Sequence, residues 1–108
     1  MTDVESWVLT AVAERFRVSV DALISPTRVA RVVHARHLGM WLLYDSGHSL
    51  RDAAAAFGRT NHATAYHALR THRQRAETSN EYAETAVQLR AGLRALTSNA
   101  CPTCGRPR

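Results

Sequence analysis

The sequence predicts an all-α fold, a multi-helix bundle that contains a helix-turn-helix unit. Apolar residues recur at helical spacing along most of the chain, no alternating strand pattern is present, and two helical segments flank a short turn at Gly58. With 108 residues, 45% of them hydrophobic and 21% charged, the chain can bury one core. We therefore expect one domain over residues 1–97, followed by a short tail at 98–108.

The first half of the chain predicts two helices with a single turn between them. A capping box, Thr-Asp-Val-Glu at residues 2–5, begins a helix that runs to about residue 16. Ser19 is suited to cap a turn that buries Val20 and Leu23. The segment from Arg28 to about Tyr44 is apolar over more than one stripe, so we expect it to be the central core helix.

The next segment predicts the helix-turn-helix unit. Ser49 can cap a short Ala-rich helix over residues 50–57, and Gly58-Arg59-Thr60 then forms a turn. Asn61 is suited to cap a second helix that ends at about Gln74 or Arg75. An ordinary helical hairpin within a bundle has the same pattern and remains the alternative.

A last helix is predicted from a cap at Ser79 to about Leu96, which gives about five helices in all. Its apolar stripe has the 3-4 spacing of a face that packs on the core or on a partner helix. The stripe consists of Tyr82, Ala86, Leu89, Leu93 and Leu96.

Charge is concentrated in the middle of the chain. All 14 basic residues are Arg, and the formal net charge is +5. Residues 26–75 hold eight Arg and two acidic residues, a balance of +6, against −2 for residues 1–25 and +1 for residues 76–108. Such a basic field favours a polyanion, first of all nucleic acid. A GC-rich genome is the alternative explanation for Arg in place of Lys, but it does not explain this concentration.

Several function classes are not expected. No apolar run approaches the roughly 20 residues needed to cross a bilayer. The start MTDVESW lacks the basic and apolar regions of a secretory signal, so we expect a cytoplasmic protein. We find no Gly-rich phosphate loop, no pair of acids and no nucleophile with a base at suitable spacing, so we do not expect an enzyme.

The histidines do not predict a metal site. His62 and His67 are five residues apart, as are His67 and His72, which places each pair about 140° apart around a helix. His34 and His37 have a usable spacing but lie in an Arg-rich segment that repels cations.

The tail CPTCGRPR has the spacing of one zinc-ribbon knuckle at Cys101 and Cys104. One knuckle supplies two of the four ligands that zinc requires, so histidines or the same tail of a second subunit would have to supply the others. This interpretation allows a homodimer formed through the tail or the last helix. A disordered tail or a redox dithiol are the alternatives.

Three segments in the middle of the chain carry a resemblance to a known family. RHLGMWLL, SLRDAAAAFG and NHATAYHAL, in this order, resemble the C-terminal DNA-binding domain, domain IV, of the bacterial replication initiator DnaA, a Trp-repressor-like helix-turn-helix bundle. The similarity covers roughly residues 4–96 and is most specific between Arg36 and Ala68. It implies binding to double-stranded DNA, with the second helix of the unit in the major groove and a basic loop in the adjacent minor groove. Because the ATPase module of full-length initiators is absent from the sequence, we expect a regulator of transcription or of replication initiation.

The resemblance and the basic field together predict a DNA-contacting set. It consists of Arg28, Arg31, Arg36, Ser49, Leu50, Arg51, Arg59, Thr60, Asn61, His62, Ala63, Thr64 and His67. Thr60 replaces the Arg of the family signature, Arg59 can partly substitute for it, and Ala63 replaces the first Thr. Since an Arg contact to guanine is usually the strongest base readout, we expect a changed sequence preference, with non-specific affinity retained through phosphate contacts.

The start of the second helix has the short polar side chains that base recognition requires. Asn61 can pair with adenine, or merely cap the helix, and His62 can donate to guanine or a phosphate. Methyl groups of Ala63 and Thr64 can touch thymine. His67 is in the set through its match to the second His of the family signature, but it is predicted nearer the core side of the helix, so we favour a packed histidine over a DNA contact there. The alternative function is a protein-interaction module with weak, non-specific DNA binding; the charge also permits RNA binding, which the motif does not favour.

Overall fold

The computed structural model of the chain describes residues 3–59 and 61–99, and the side chains of residues 4–59 and 61–96. Within these ranges there are six α-helices and no strand, which confirms the all-α prediction. The helices are α1 (Asp3–Phe16), α2 (Val20–Ile24), α3 (Ala30–Asp45), α4 (Leu50–Ala56), α5 (His62–Thr78) and α6 (Asn80–Asn99). The predicted single turn after Ser19 forms the five-residue helix α2, and this raises the number of helices from about five to six.

The long apolar helix α3 lies at the centre of the bundle and contacts all five other helices, as predicted. Its apolar buried side chains are Val32, Ala35, Leu38, Met40, Leu42 and Leu43. α1 contributes Val8, Leu9, Val12 and Ala13, and α6 contributes the predicted stripe, with Leu96 partly buried at its end. Burial of this apolar surface is the main stabilising term of the fold. Among the helices that the structure describes, none has the length and hydropathy needed to cross a membrane.

Helix starts follow the predicted N-caps. Each cap side chain accepts a hydrogen bond from a backbone N–H of the first turn and so satisfies a donor that the helix itself leaves unpaired. The bonds are Ala22 N to Ser19 Oγ (3.0 Å), Asp52 N to Ser49 Oγ (3.1 Å), Ala63 N to Asn61 Oδ1 (2.9 Å) and Tyr82 N to Ser79 Oγ (3.3 Å). The predicted capping box includes Thr2, which lies outside the described residues.

The last two helices are longer than predicted. α5 continues to Thr78, whereas the sequence pattern predicted an end near Arg75, and α6 continues to Asn99. No residue between Arg75 and Thr78 is a helix breaker, so the helix ends only where Ser79 adopts an extended conformation. Ser79 N donates to Arg75 O (2.9 Å), and the same residue then caps α6, so a single residue connects the two helices.

The turn between α4 and α5 is held against two other elements. Phe57 is fully buried, and its ring lies so close to Gly39 of α3 that a Cβ there would overlap it. Gly58 has φ +76°, and a Cβ there would lie 2.8 Å from Ile24 Cγ2 and 3.0 Å from Ile24 O. Both glycines are therefore needed, the first for close packing and the second also for its left-handed backbone. These contacts fix the start of α5 relative to α2 and α3.

Candidate nucleic-acid interface

The first half of α5 presents a polar face away from the core. Ala65, Ala68 and His72 are buried and define the inner side of the helix. Residues on the other side are exposed, namely Asn61, His62, Tyr66, His67 and Arg70. An α-helix has the width that the DNA major groove admits, so this face has the shape that a recognition helix requires.

The N-terminus of α5 combines a cap with accessible polar groups. The Asn61 side chain accepts from Ala63 N, and Thr64 N donates to Asn61 O (3.0 Å). The capping role predicted for Asn61 is thus present, while the residue itself remains exposed. Ala63 and Thr64 are half-buried, so their methyl groups are only partly accessible. The positive end of the helix dipole at this point favours phosphate.

His67 corrects one sequence prediction. We expected it to be packed, but it is exposed and its ring makes only an edge contact with Tyr66, at 6.1 Å between centroids. The reason is the phase of the helix, because two residues after buried Ala65 correspond to about 200° of rotation. His67 is therefore accessible to solvent, although it lies about 140° around the helix from His62.

Arg36 is placed differently from the backbone clamp that we expected. It is 7% exposed, and its guanidinium donates to carbonyl groups at the end of α2 and in the segment that follows. The bonds run from Nε to Leu23 O (2.9 Å) and from Nη2 to Ser25 O (2.9 Å), Thr27 O (3.3 Å) and Ala22 O (3.4 Å). Burial lowers the pKa of Arg36 and the nearby Arg59 guanidinium lowers it further, but an arginine stays charged. Arg36 is thus a structural residue beneath the basic loop.

Arg59 joins the helix-turn-helix to the same loop. Its Nη1 donates to Ile24 O (3.0 Å) and Phe57 O (3.1 Å), and its Nη2 donates to Ser25 O (2.9 Å). A guanidinium with these three bonds is not free to read guanine in place of the missing signature Arg. Because Arg36 and Arg59 both donate to Ser25 O, the turn before α5 is joined to the start of the basic loop.

The exposed cations lie beside this turn and loop. Arg28 and Arg31 are exposed in and just after the loop that precedes α3, and Arg51 is exposed in the first turn of α4. In the described part of the chain, no acidic group forms an ion pair with any of the three. Ser49 caps α4 and is exposed, whereas the Leu50 side chain packs against the core. The three arginines are suited to contact phosphates.

The sequence analysis missed Tyr66 and Arg70. Both are exposed, and both follow His62 at intervals of four residues on the outer side of α5. The family signature drew attention to the first helical turn and to the matching histidines. The same helical periodicity, extended by two turns, would have indicated both residues.

The inner side of α5 reaches the core again at His72. His72 stacks on Trp41 with the ring centroids 4.5 Å apart, and the Tyr82 hydroxyl lies 2.8 Å from His72 Nδ1, at hydrogen-bond distance. Burial first, and then Arg75, lower the pKa of His72 to about 4. Burial and nearby cations, led by Arg75, also lower the pKa of His37 to about 4, and burial raises the pKa of Tyr82 to about 12. All three groups are therefore neutral at pH 7, as core groups should be.

Metal binding is predicted only for the tail. Among the described residues, no three His, Cys, Asp or Glu side chains come together as a metal site would require. Cys101 and Cys104 lie outside the described residues, as does Thr60 of the turn. The zinc site and a DNA contact by Thr60 therefore remain predictions.

Helix α4, the turn at Gly58, and α5 with its exposed polar start define a helix-turn-helix domain of the DNA-binding class. The family model described as the bacterial DnaA protein helix-turn-helix matches residues 6–71, which is more than half of the chain. The chain belongs to this family, and DNA binding is the function that the family indicates. The match ends within α5, so the end of that helix, from His72 onward, and all of α6 follow it.

Proposed function

We propose that the protein binds double-stranded DNA at a short preferred sequence and thereby regulates transcription or the initiation of replication. The observation that carries the proposal is the exposed polar face at the start of α5, on a helix whose inner side is buried at Ala65, Ala68 and His72. A recognition helix has to present such a face in a fixed orientation, because base contacts depend on geometry.

Base contacts are assigned to the first turns of α5. The Asn61 amide can pair with adenine in the major groove while its oxygen side still caps the helix, and His62 can donate to guanine or to a phosphate. The partly accessible methyl groups of Ala63 and Thr64 fit against a thymine methyl group. His67, one turn after Ala63, is exposed and close enough to the N-terminus to contact the same duplex.

Phosphate contacts are assigned to Arg28, Arg31 and Arg51, whose guanidinium groups are exposed and not ion-paired within the described residues. They lie in the segment that holds the charge surplus, +6 over residues 26–75 (eight Arg less two acids). Phosphate contacts provide most of the affinity and little of the sequence preference, and they weaken as salt rises.

The preference should differ from that of a protein with the full family signature. Thr60 stands where that signature has an Arg, and Arg59 donates its hydrogen bonds to backbone carbonyls instead. With no bidentate Arg contact to guanine from the turn, the side chains of α5 itself carry more of the discrimination. We therefore propose a site with less guanine preference at the position next to the turn.

The tail adds a separate proposal. Residues 1–97 form the DNA-binding domain, and Cys101 and Cys104 of the tail at 98–108 bind zinc, with a second copy of the chain supplying the remaining ligands. Zinc content and mass in solution, measured for the wild type and for Cys101→Ser, test this. Loss of zinc and of the dimer together supports it, and a zinc-free wild-type monomer contradicts it.

Selection of bound duplexes from a random pool tests the main proposal. The wild type should enrich one short sequence. The combined variant Asn61→Ser, His62→Ala and Thr64→Ala should bind that duplex at least about tenfold more weakly, since each lost base contact is worth about 1–3 kcal/mol. Serine keeps an N-cap acceptor at residue 61, so the fold of α5 is retained. Ser6→Ala with Thr10→Ala, two exposed positions on α1, is the matched control.

Two results would contradict the proposal. One is binding of the selected duplex that stays unchanged in the combined variant. The other is a wild type that enriches no sequence and whose affinity falls steeply with salt, which is the behaviour of a protein-interaction module with non-specific DNA binding.

A further inference from the structure

Tyr66 is a large aromatic side chain on the exposed side of α5, with 51% of its surface accessible. We infer that Tyr66 is a specificity-determining residue, which extends base reading one helical turn beyond His62. The inference rests on the proposed DNA binding and adds to it a residue that lies outside the first turn of the helix.

The position of Tyr66 follows from the phase of α5. It comes four residues after His62 and four before Arg70, and all three are exposed. Its neighbour Ala65 is fully buried, so the phenol points away from the core. Four residues advance about 6 Å along a helix, which is close to two base-pair steps of the duplex. Tyr66 therefore reaches different base pairs from those near His62.

The rest of the fold does not explain Tyr66. Its ring makes an edge contact with His67, itself exposed, and within the described residues its hydroxyl has no hydrogen-bond partner. Tyr82, by contrast, is 7% exposed and its hydroxyl lies 2.8 Å from a nitrogen of His72. An aromatic ring left in water on an interaction surface is suited to a contact made on binding, because it buries much area at small entropic cost.

The chemistry of a phenol fits a base-pair edge. Its hydroxyl can donate to or accept from the groups displayed in the major groove, and its ring can pack against the methyl group of thymine. Arg70, one turn further along the same side, is suited to the phosphates that border these base pairs. Tyr66 thus adds discrimination at one end of the site, while the first turn of α5 reads the rest.

Selection from a random duplex pool, run in parallel on four proteins, tests the inference. These are the wild type, Tyr66→Ala, Tyr66→Phe and the control Tyr44→Ala, which removes a tyrosine of nearly equal exposure (49%) near the end of α3. Thermal unfolding midpoints should agree for the wild type and both Tyr66 variants, since the residue is on the surface.

The expected result is a local change of preference. Tyr66→Ala should lose discrimination at one or two adjacent base pairs at one end of the site, keep it elsewhere, and bind the wild-type duplex about tenfold more weakly. Tyr44→Ala should enrich the wild-type sequence. Tyr66→Phe assigns the contact to the hydroxyl if it behaves as the alanine variant, and to the ring if it behaves as the wild type; both support the inference.

The inference is overturned if Tyr66→Ala enriches the wild-type sequence with equal discrimination at every position. That result leaves the proposed function intact, because the wild type still selects a sequence. A wild type that enriches no sequence at all overturns both, and the two failures are thereby distinguished.

Discussion

The outer and inner sides of α5 contain the same residue types in opposite environments. On the outer side His62, Tyr66 and His67 are exposed, and on the inner side His72 is 5% exposed and lies between Trp41 and Tyr82. A histidine in this helix is thus a surface group or a core group according to its angle around the axis and the elements that cover it. Residue type alone does not distinguish a DNA contact from a structural residue.

The difference also explains how a short domain can hold α5 in place while one side of it stays exposed. The second half of α5 packs on α3 and α6, while the start of the helix is fixed by the Asn61 cap and by the contact of Gly58 with Ile24. The exposed side chains are therefore presented from a helix held at both ends. Precise contacts require this support from residues that never touch the ligand.

The largest contrast should be seen in stability. His72→Ala removes a stacked, hydrogen-bonded ring from the core and should lower the free energy of unfolding by about 2–4 kcal/mol. His67→Ala removes an exposed ring and should change it by less than about 0.5 kcal/mol. Urea denaturation of both variants and the wild type measures this. Equal losses for the two variants would mean that the inner and outer sides of α5 do not differ as described.

The same contrast holds between buried and exposed arginines. Arg36→Lys keeps the charge but cannot reproduce the hydrogen bonds to Leu23 O and Ser25 O, so we expect a loss of about 2 kcal/mol in the free energy of unfolding. Arg31→Lys, on the exposed side of α3, is the matched control and should have no measurable effect on stability. If Arg36→Lys is as stable as the wild type, the carbonyl contacts do not hold the loop.

Acid should weaken the core around His37 of α3 and His72 of α5. The pKa values of His37 and His72 are lowered from 6.5 to about 4 in the folded protein, so the folded state disfavours their charged forms. Their contribution to stability is complete above pH 6.5 and is lost as the pH falls from 6.5 towards 4, by about 1 kcal/mol for each after solvent screening is allowed for. Urea midpoints between these limits should fall more for the wild type than for His37→Gln with His72→Gln. Parallel pH profiles would contradict this assignment.

The exposed arginines should affect binding and leave stability unchanged. Replacing Arg28, Arg31 or Arg51 by Ala should each reduce the slope of log affinity against log salt by about 1, with the preferred sequence retained. Titration of the selected duplex at several salt concentrations measures the slope. An unchanged slope for Arg28→Ala would remove that residue from the phosphate contacts.

Local chemistry explains what the sequence allowed us to predict. Ser19, Ser49, Asn61 and Ser79 were predicted as caps, and each accepts the bond from its own first turn. The apolar periodicity of α3 likewise predicted its central position. These features depend on residues a few positions apart, and no knowledge of the tertiary fold is needed to infer them.

The residues whose positions were predicted wrongly depend on contacts with residues distant in the sequence. Arg36 is buried because carbonyls 9 to 14 residues earlier in the chain turn towards it, and Arg59 bonds to carbonyls 34 and 35 residues earlier. The prediction that His67 is packed was wrong because it depended on the phase of α5. The packing of Ala65 and Ala68 sets that phase, and the local pattern of an Ala-rich, polar helix does not define it. Arginine and histidine occur both in the core and on the surface of this protein. Their positions could therefore be obtained only from the tertiary structure.

The most direct test compares affinity for the selected duplex with affinity for a duplex of the same bases in shuffled order, at one salt concentration. For the wild type we expect a ratio of about a thousandfold or more. His62→Ala with Thr64→Ala should lower the ratio at least tenfold while leaving the affinity for the shuffled duplex unchanged. A ratio that is the same in the wild type and in this variant would contradict the claim that the exposed side at the start of α5 reads DNA.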